Sequence, residues 1–233
     1  MKTKLSLLFL LLSTLDVFAQ TKPRLVLFTD YASCYYGLKD PTGKQIRKAE
    51  FTVLNQSCWY RKEQEVHYEF FWIAQKNGFY GALNDSGKVV VPFRFEELKL
   101  SNQGYFIARN QEEWTLLSLS GDISYSEKGV DYIEPVDYGF IIGRKGKAGF
   151  LDLSFRERIP FEFTRIEPVL LERLQENQIK THSPYLFRVF KEHTMGIYDL
   201  RRGMVVPCDS EFAEVHWVNQ SCPESQAVYE AFK

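Results

Sequence analysis

The chain has 233 residues, 15% of them aromatic, and a formal net charge of −1 at neutral pH. A charge so near zero lacks the basic footprint that a nucleic-acid partner requires. The length suits one large β domain with a sizeable core, and the aromatic content fits packed β layers.

Residues 1–19 read as a signal peptide. Lys2 and Lys4 form a basic start, residues 5–12 an apolar run, and Val17-Phe18-Ala19 a small-residue cleavage site before Gln20. The apolar run is too short to span a membrane, and no later stretch is long enough. The expectation is an exported chain, periplasmic or secreted, with no membrane span after leader removal. Its mature part, residues 20–233, carries 27 basic against 29 acidic residues, a net charge of −2.

The mature part reads as one β-repeat domain. Residues 25–29 are apolar and β-prone, and residues 31–38 lead into the turn Asp40-Pro41-Thr42-Gly43. Residues 51–54 form an exit strand, followed by a first insertion at 55–69. The central copy, residues 70–100, is the clearest. There Asn77-Gly78 separates two apolar runs, which is a hairpin signal because both residues tolerate positive φ. Asn84-Asp85-Ser86-Gly87 opens a second turn, with Gly at the fourth position suited to a type I turn followed by a bulge. Val89-Val90-Val91 prefers a strand, and Pro92 is expected to mark a strand end or an edge. This predicts a three-stranded meander over 70–75, 79–83 and 88–91, with 93–100 leading onward.

Four weaker copies align on Gly81, near residues 25–54, 105–134, 138–169 and 185–215. Their anchor positions are Gly37, Thr115, Gly149 and Gly196. The turn glycines are Gly43, Gly87 and Gly121. From anchor to proline is an eleven-residue step in three copies, ending at Pro92, Pro160 and Pro207. Anchor spacings of 44, 34, 34 and 47 give a period of about 34 residues broken by two insertions, 55–69 and 170–183. Leu170, Leu171 and Leu174, followed by Glu, Gln and Asn, predict one short helix in the second insertion. The tail, residues 216–233, reads as a cap or a frayed end.

The pattern of aromatic-Gly, a D-x-x-G-like turn and a V-x-P ending resembles the WG (KWG) repeat of bacterial proteins. The resemblance runs from about residue 24 to 215. Only the third copy keeps Trp, at Trp114, and there Thr115 replaces the glycine. The resemblance implies an all-β array of about five three- to four-stranded antiparallel meanders, either propeller-like or an open superhelix. It transfers no catalytic residues. The strand after each anchor is apolar at successive positions, such as Ala82-Leu83 and Phe150-Leu151, so both faces should be covered. An anchor without a side chain leaves room for a neighbour's aromatic ring.

Cys34, Cys58, Cys208 and Cys222 are an even set in a chain read as exported, which predicts two disulfides. Cys34 with Cys58 and Cys208 with Cys222 is the preferred pairing; the alternative ties the first copy to the last. No C-x-x-C is present, and His67, His182, His193 and His216 lie at no ligand spacing, so no metal and no cofactor is expected. Asp40, Asn84, Ser118, Asp152 and Asp199 each open a turn and cap it with a side-chain oxygen, a better reading than a calcium loop. The run from Gly143 to Gly149 is a hairpin tip rather than a phosphate loop, since a strand and not a helix follows. Adjacent acids at Glu96-Glu97 and Glu112-Glu113 point to opposite faces of a strand, which is wrong for shared acid–base chemistry.

What remains is a binding or interaction module without catalysis, its partner a protein, peptide or glycan of the bacterial envelope; a structural scaffold and an enzyme are the rival classes. The first insertion supplies Trp59, Tyr60, Arg61 and Tyr68, residue types that dominate binding hot spots. Trp59 and Tyr60 could equally cover the end of the core beside Cys58.

Overall fold

The computed structural model describes residues 25–62, 66–172, 180–210, 212–217 and 227–232. All secondary structure among the described residues is β, arranged as antiparallel sheets. The leader-like residues 1–19, Cys222 and residues 173–179 of the second insertion lie outside the described residues.

Six sheets follow one another along the chain. The first holds β1 (Val26–Asp30), β2 (Tyr35–Lys39) and β3 (Gln45–Phe51). The second holds β4 (Val53–Lys62), β5 (Val66–Lys76), β6 (Phe79–Asn84) and β7 (Val89–Phe95). The third holds β8 (Glu97–Leu100), β9 (Tyr105–Asn110), β10 (Glu113–Ser118) and β11 (Ile123–Lys128). The fourth holds β12 (Val130–Val136), β13 (Gly139–Arg144), β14 (Lys147–Asp152) and β15 (Glu157–Phe163). The fifth holds β16 (Arg165–Glu172), β17 (Lys180–Lys191), β18 (Thr194–Asp199) and β19 (Gly203–Ser210). A last pair joins β20 (Phe212–Trp217) and β21 (Ala227–Phe232). The tail of the chain therefore carries a strand.

Sequence copy and sheet are out of phase. The copy over 70–100 contributes three strands to the second sheet, and its last piece, β8, opens the third. The first strand of each complete sheet is thus the one that precedes its copy.

The chain separates into two compact units, residues up to 111 with 115–124, and 112–114 with 125 onward. In the first unit β2 and β3 lie against β4 and β5, and β6 and β7 against β8 and β9. Leu83 packs between the first two sheets with Leu38, Phe51, Leu54 and Trp72. Its neighbour Ala82 points the other way, into a cluster with Phe71, Phe106 and Leu117. The second unit repeats this layering. Phe150, Ile166 and Phe187 fill the space between the fourth and fifth sheets, while Ile197 and Val206 line the fifth sheet's other face. Successive side chains serve opposite faces, so a strand apolar at every position is a strand stacked on both sides.

The anchor glycine and the proline are two halves of one device. Tyr80 pairs with Phe95 and Ala82 with Val91, so three residues of β7 stand opposite the single Gly81. The same three-against-one bulge faces Gly37, Gly149 and Gly196. Pro92, Pro160 and Pro207 are each its first residue. A bulged residue is out of the ladder, so the missing N–H costs no hydrogen bond. Of the two expectations for Pro92, a strand end or an edge, the edge is found: β7 is an edge strand that runs on past Pro92 to Phe95.

The bulge folds down onto the glycine. A Cβ at Gly81 would lie 2.7 Å from the Val91 carbonyl oxygen and 2.9 Å from the Phe93 ring. At Gly149 it would lie 2.7 Å from the Phe161 ring, and at Gly196 2.5 Å from the Val206 oxygen and 2.9 Å from Cys208 Sγ. The expected ring is present at Gly81 and Gly149, but it comes from the same sheet's exit strand rather than from a stacked neighbour.

The tight turns share one construction. Asp40 Oδ1 accepts the N–H groups of Thr42 and Lys44, and Asn84 Oδ1 those of Ser86 and Lys88. Asp152 does the same with Ser154 and Arg156. Asp199 accepts the Arg201 N–H and holds its guanidinium, and Ser118 Oγ accepts the Asp122 N–H. Gly43, Gly87 and Gly121 close these turns at φ of 90°, 79° and 90°. Where the fourth copy lacks a glycine, Phe155 itself adopts φ 58°. Its ring stacks between Tyr125 and Phe140 at 5.6 and 6.0 Å, contacts that offset the strain of that backbone.

The second insertion is not helical where it is described. Leu170, Leu171 and Glu172 pair with His182, Thr181 and Lys180, so its two ends extend the β16–β17 hairpin. Lengthening an existing ladder satisfies backbone groups that an isolated short helix would leave open.

Two expected outcomes follow from these contacts. Gly81→Ala should destabilise by about 1–3 kcal/mol, through overpacking against backbone. Gly78→Asn should stay within about 0.5 kcal/mol, because Asn tolerates positive φ and nothing lies within 4 Å of that site. Urea unfolding midpoints check both, and equal effects at the two sites would refute the close-approach account.

The second outcome concerns acid. The Thr42 hydroxyl and turn amides hold the Asp40 carboxyl below its ordinary 3.8. Burial pushes Asp152 up, but the amides of Arg156 and Ser154 and the nearby arginines outweigh it, so its pKa too is lowered. A depressed carboxylate stabilises fully above its unfolded pKa and loses that contribution as pH falls through the folded value. Asp40→Asn with Asp152→Asn keeps the amide acceptor, as Asn84 already does. Melting curves from pH 2 to 6 should therefore fall less steeply in the double variant than in the parent.

Candidate binding surface

The first insertion is an elongated hairpin. β4 and β5 pair without interruption from Val53↔Gln75 to Lys62↔Val66. The corresponding β8–β9 ladder spans four pairs, Glu97↔Arg109 to Leu100↔Phe106. The outer half of β4–β5 is thus surplus to what sheet packing needs. Both insertions lengthen the same hairpin of their sheets, between first and second strands.

The two faces of this hairpin differ. Trp59 lies on the face towards the third sheet. It is half-buried, its Nε1–H donates to the Asn102 carbonyl at 3.0 Å, and its indole covers Gly104. Trp59 clasps the 101–104 turn. The side chains of Tyr60 and Arg61 lie outside the described residues.

The opposite face continues the surface that meets the first sheet. Leu54 and Trp72, opposed across the ladder to Ala74 and Gln56, sit in the cluster with Leu25 and Leu38. Two steps further out on this face come the pair Cys58 and Phe70, then Tyr68. Tyr68 is 44% exposed and stacks on Phe70 with centroids 6.5 Å apart. Cys58 is exposed. Of the four residues expected to meet a partner, Tyr68 is the one described in an open aromatic setting.

The expected disulfides are not formed among the described residues. Cys34, Cys58 and Cys208 are free thiols. Cys34 occupies the β1–β2 connection at φ 58°, while Cys58 faces outward on β4. Cys208 is held against Gly196, with Sγ 3.5 Å from the Val189 carbonyl oxygen. Each thiol is committed to a different part of its sheet, which an even cysteine count does not reveal. Burial raises the pKa of Cys58; it raises that of Cys208 too, against the opposing charge of Lys191.

Elsewhere, Lys147, Glu162, Lys191, Glu192, His193 and Thr194 line a shallow polar cleft in the second unit. Lys191 and Glu162 pair across it at 3.2 Å. No group of His, Cys, Asp or Glu among the described residues could hold a metal ion.

Alkylation tests the thiol assignment. In native protein Cys34 and Cys58 should label faster than half-buried Cys208, and urea should equalise Cys208 with them. Non-reducing peptide maps should show all three alkylated; a fragment linking any two would overturn the assignment.

Comparison with known proteins agrees with this geometry in one segment. No curated protein matches the chain. A solved structure of a protein of unknown function from Bacteroides caccae is similar at 13% identity and a TM-score of 0.27, covering 80% of this chain and 78% of that one. The family model described as WG containing repeat matches residues 80–114, from within β6 to the start of β10. Residues 80–114 of this chain are thus similar to a WG containing repeat.

Proposed function

We propose that this chain is a binding module of the bacterial cell envelope or exterior, holding a protein, peptide or glycan partner without bond-making chemistry. The observation that carries the reading is the Tyr68–Phe70 pair on the surplus length of the β4–β5 hairpin. Stacked aromatics left open on a rigid ladder supply large contact area at small entropic cost. Export is supported by the leader-like residues 1–19. The acidic residues that recur with the repeat support a non-catalytic role, because Asp40, Asp152 and Asp199 spend their oxygens on turn amides.

The test is capture from envelope extract with the protein as bait. Tyr68→Ala, and separately a chain with residues 55–69 shortened to the β8–β9 length, should each lose the captured partner while keeping the parent's melting profile. Retention of the partner by both variants would place the site elsewhere.

A further inference from the structure

In the first unit, one edge of the sheets carries the turns at residues 31–34 and 77–78 and the single-residue corners at Thr52 and Glu96, all of them described. Leu25, where the described chain begins, and the undescribed residues 63–65 belong to the opposite edge: Val26 pairs with Lys39 beside the Asp40 turn, and Lys62 with Val66. Three aromatic side chains stand on the fully described edge. Tyr31 is 90% exposed, Tyr35 43% and Phe79 44%.

Tyr35 and Phe79 each stand two residues before an anchor, Gly37 and Gly81. The same position holds Glu113, Lys147 and Thr194 in the other copies, so the repeat does not demand a ring there. Tyr36 packs in the cluster between the first two sheets, and Tyr80 in the next cluster along. Alternation therefore turns Tyr35 and Phe79 to the same side of their own sheets, repeated at the sheet spacing of ~10 Å. Lys76, opposite Phe79 across the ladder, reaches Glu50 of the first sheet at 2.8 Å, so an ion pair bridges the two sheets beside these rings. Its charges cancel. Asp30, opposite Tyr35, spends its oxygens on the Ala32 amide and the Ser33 hydroxyl. The Thr52 hydroxyl donates to Gln75 Oε1 at 2.9 Å and fastens the sheets at the same place.

We propose that this edge binds a neutral glycan: linked pyranose rings laid across the first and second sheets, stacked on Tyr35 and Phe79, with the hydroxyls between them bonded to the Lys76–Glu50 pair. The face of a pyranose is a set of C–H bonds, which suits the negative face of an aromatic ring. A hydroxyl both donates and accepts, so neighbouring hydroxyls meet both ends of an ion pair: the ammonium donates and the carboxylate accepts. A floor whose charges cancel favours a ligand without net charge. Two linked rings are about as long as one sheet spacing, so rings in alternation fall on Tyr35 and Phe79. A run of prolines would stack equally well, but it brings no donor for Glu50. The site lies at the other end of β5 from Tyr68 and does not rest on the reading placed there.

Cellotetraose and tetra-N-acetylchitotetraose are the probes, each titrated into the full chain and followed by calorimetry and saturation-transfer NMR. At least one should bind saturably, with transfer strongest to its ring C–H protons and with the Tyr35 and Phe79 ring resonances shifted. Tyr35→Ala and Phe79→Ala should each weaken binding by about tenfold, while Phe79→Trp should retain it. Melting curves establish that the variants fold; where one does not, the ring resonances of the parent chain decide. Saturable binding of neither sugar would overturn the proposal. So would binding that leaves both ring resonances unmoved, or that both alanine variants keep in full. A decaproline peptide that binds through Tyr35 and Phe79 while neither sugar does would assign the edge to a proline-rich segment instead. Capture from extract through Tyr68 is a separate readout, and either result can fail without the other.

Discussion

The structure depends on one close approach. In four of the sheets a bulged exit strand folds three residues over a single glycine, bringing a carbonyl oxygen to within 2.5–2.7 Å of where a Cβ would stand at Gly37, Gly81 and Gly196. That contact sets the register of the third and fourth strands. A one-residue slip would exchange the two faces of a strand that is apolar on both. It also explains the fixed step from glycine to proline. The proline occupies the first bulged position, where a residue without an N–H is tolerated.

The turn three residues after the anchor is the companion constraint. One side-chain oxygen takes two backbone amides at Asp40, Asn84 and Asp152 and one at Ser118 and Asp199, and Gly43, Gly87, Gly121 and Phe155 close their turns at positive φ. The task accepts Asp, Asn or Ser, which explains why the position varies in charge without varying in role. Phe155 shows the limits of the rule. It takes a glycine's backbone and offsets it by stacking on Tyr125 and Phe140. Neighbouring sheets are fastened through the same turns. Arg47 donates to the Gly87 carbonyl at 2.7 Å, and Arg158 to that of Leu200 at 3.0 Å.

Departure from the period is where the chain gains surface. Both insertions lengthen the hairpin between first and second strands. On β4–β5 this produces two faces of unlike use. Trp59 is spent on the 101–104 turn, while Tyr68 remains open on the other side, stacked on half-buried Phe70. Alternation along a ladder separates these residues, although they lie within a dozen positions of each other in the chain.

By itself the sequence determined the all-β class, the repeat with its anchors and turns, and the hairpin at Asn77-Gly78, which takes φ of 53° and 85°. These are local properties: a turn is decided by a few side chains and their own backbone. Tertiary structure alone decided the phase of the sheets, since a strand's partner is chosen by packing and not by the copy it belongs to. It turned the ends of the Leu170–Ser183 region into strand, because continuing a ladder outweighs a weak helical pattern. It kept Cys34, Cys58 and Cys208 apart, because each is fixed by a different element. It also decided which aromatic of the first insertion is buried and which is open, because that depends on the face each residue takes and on what is stacked against that face.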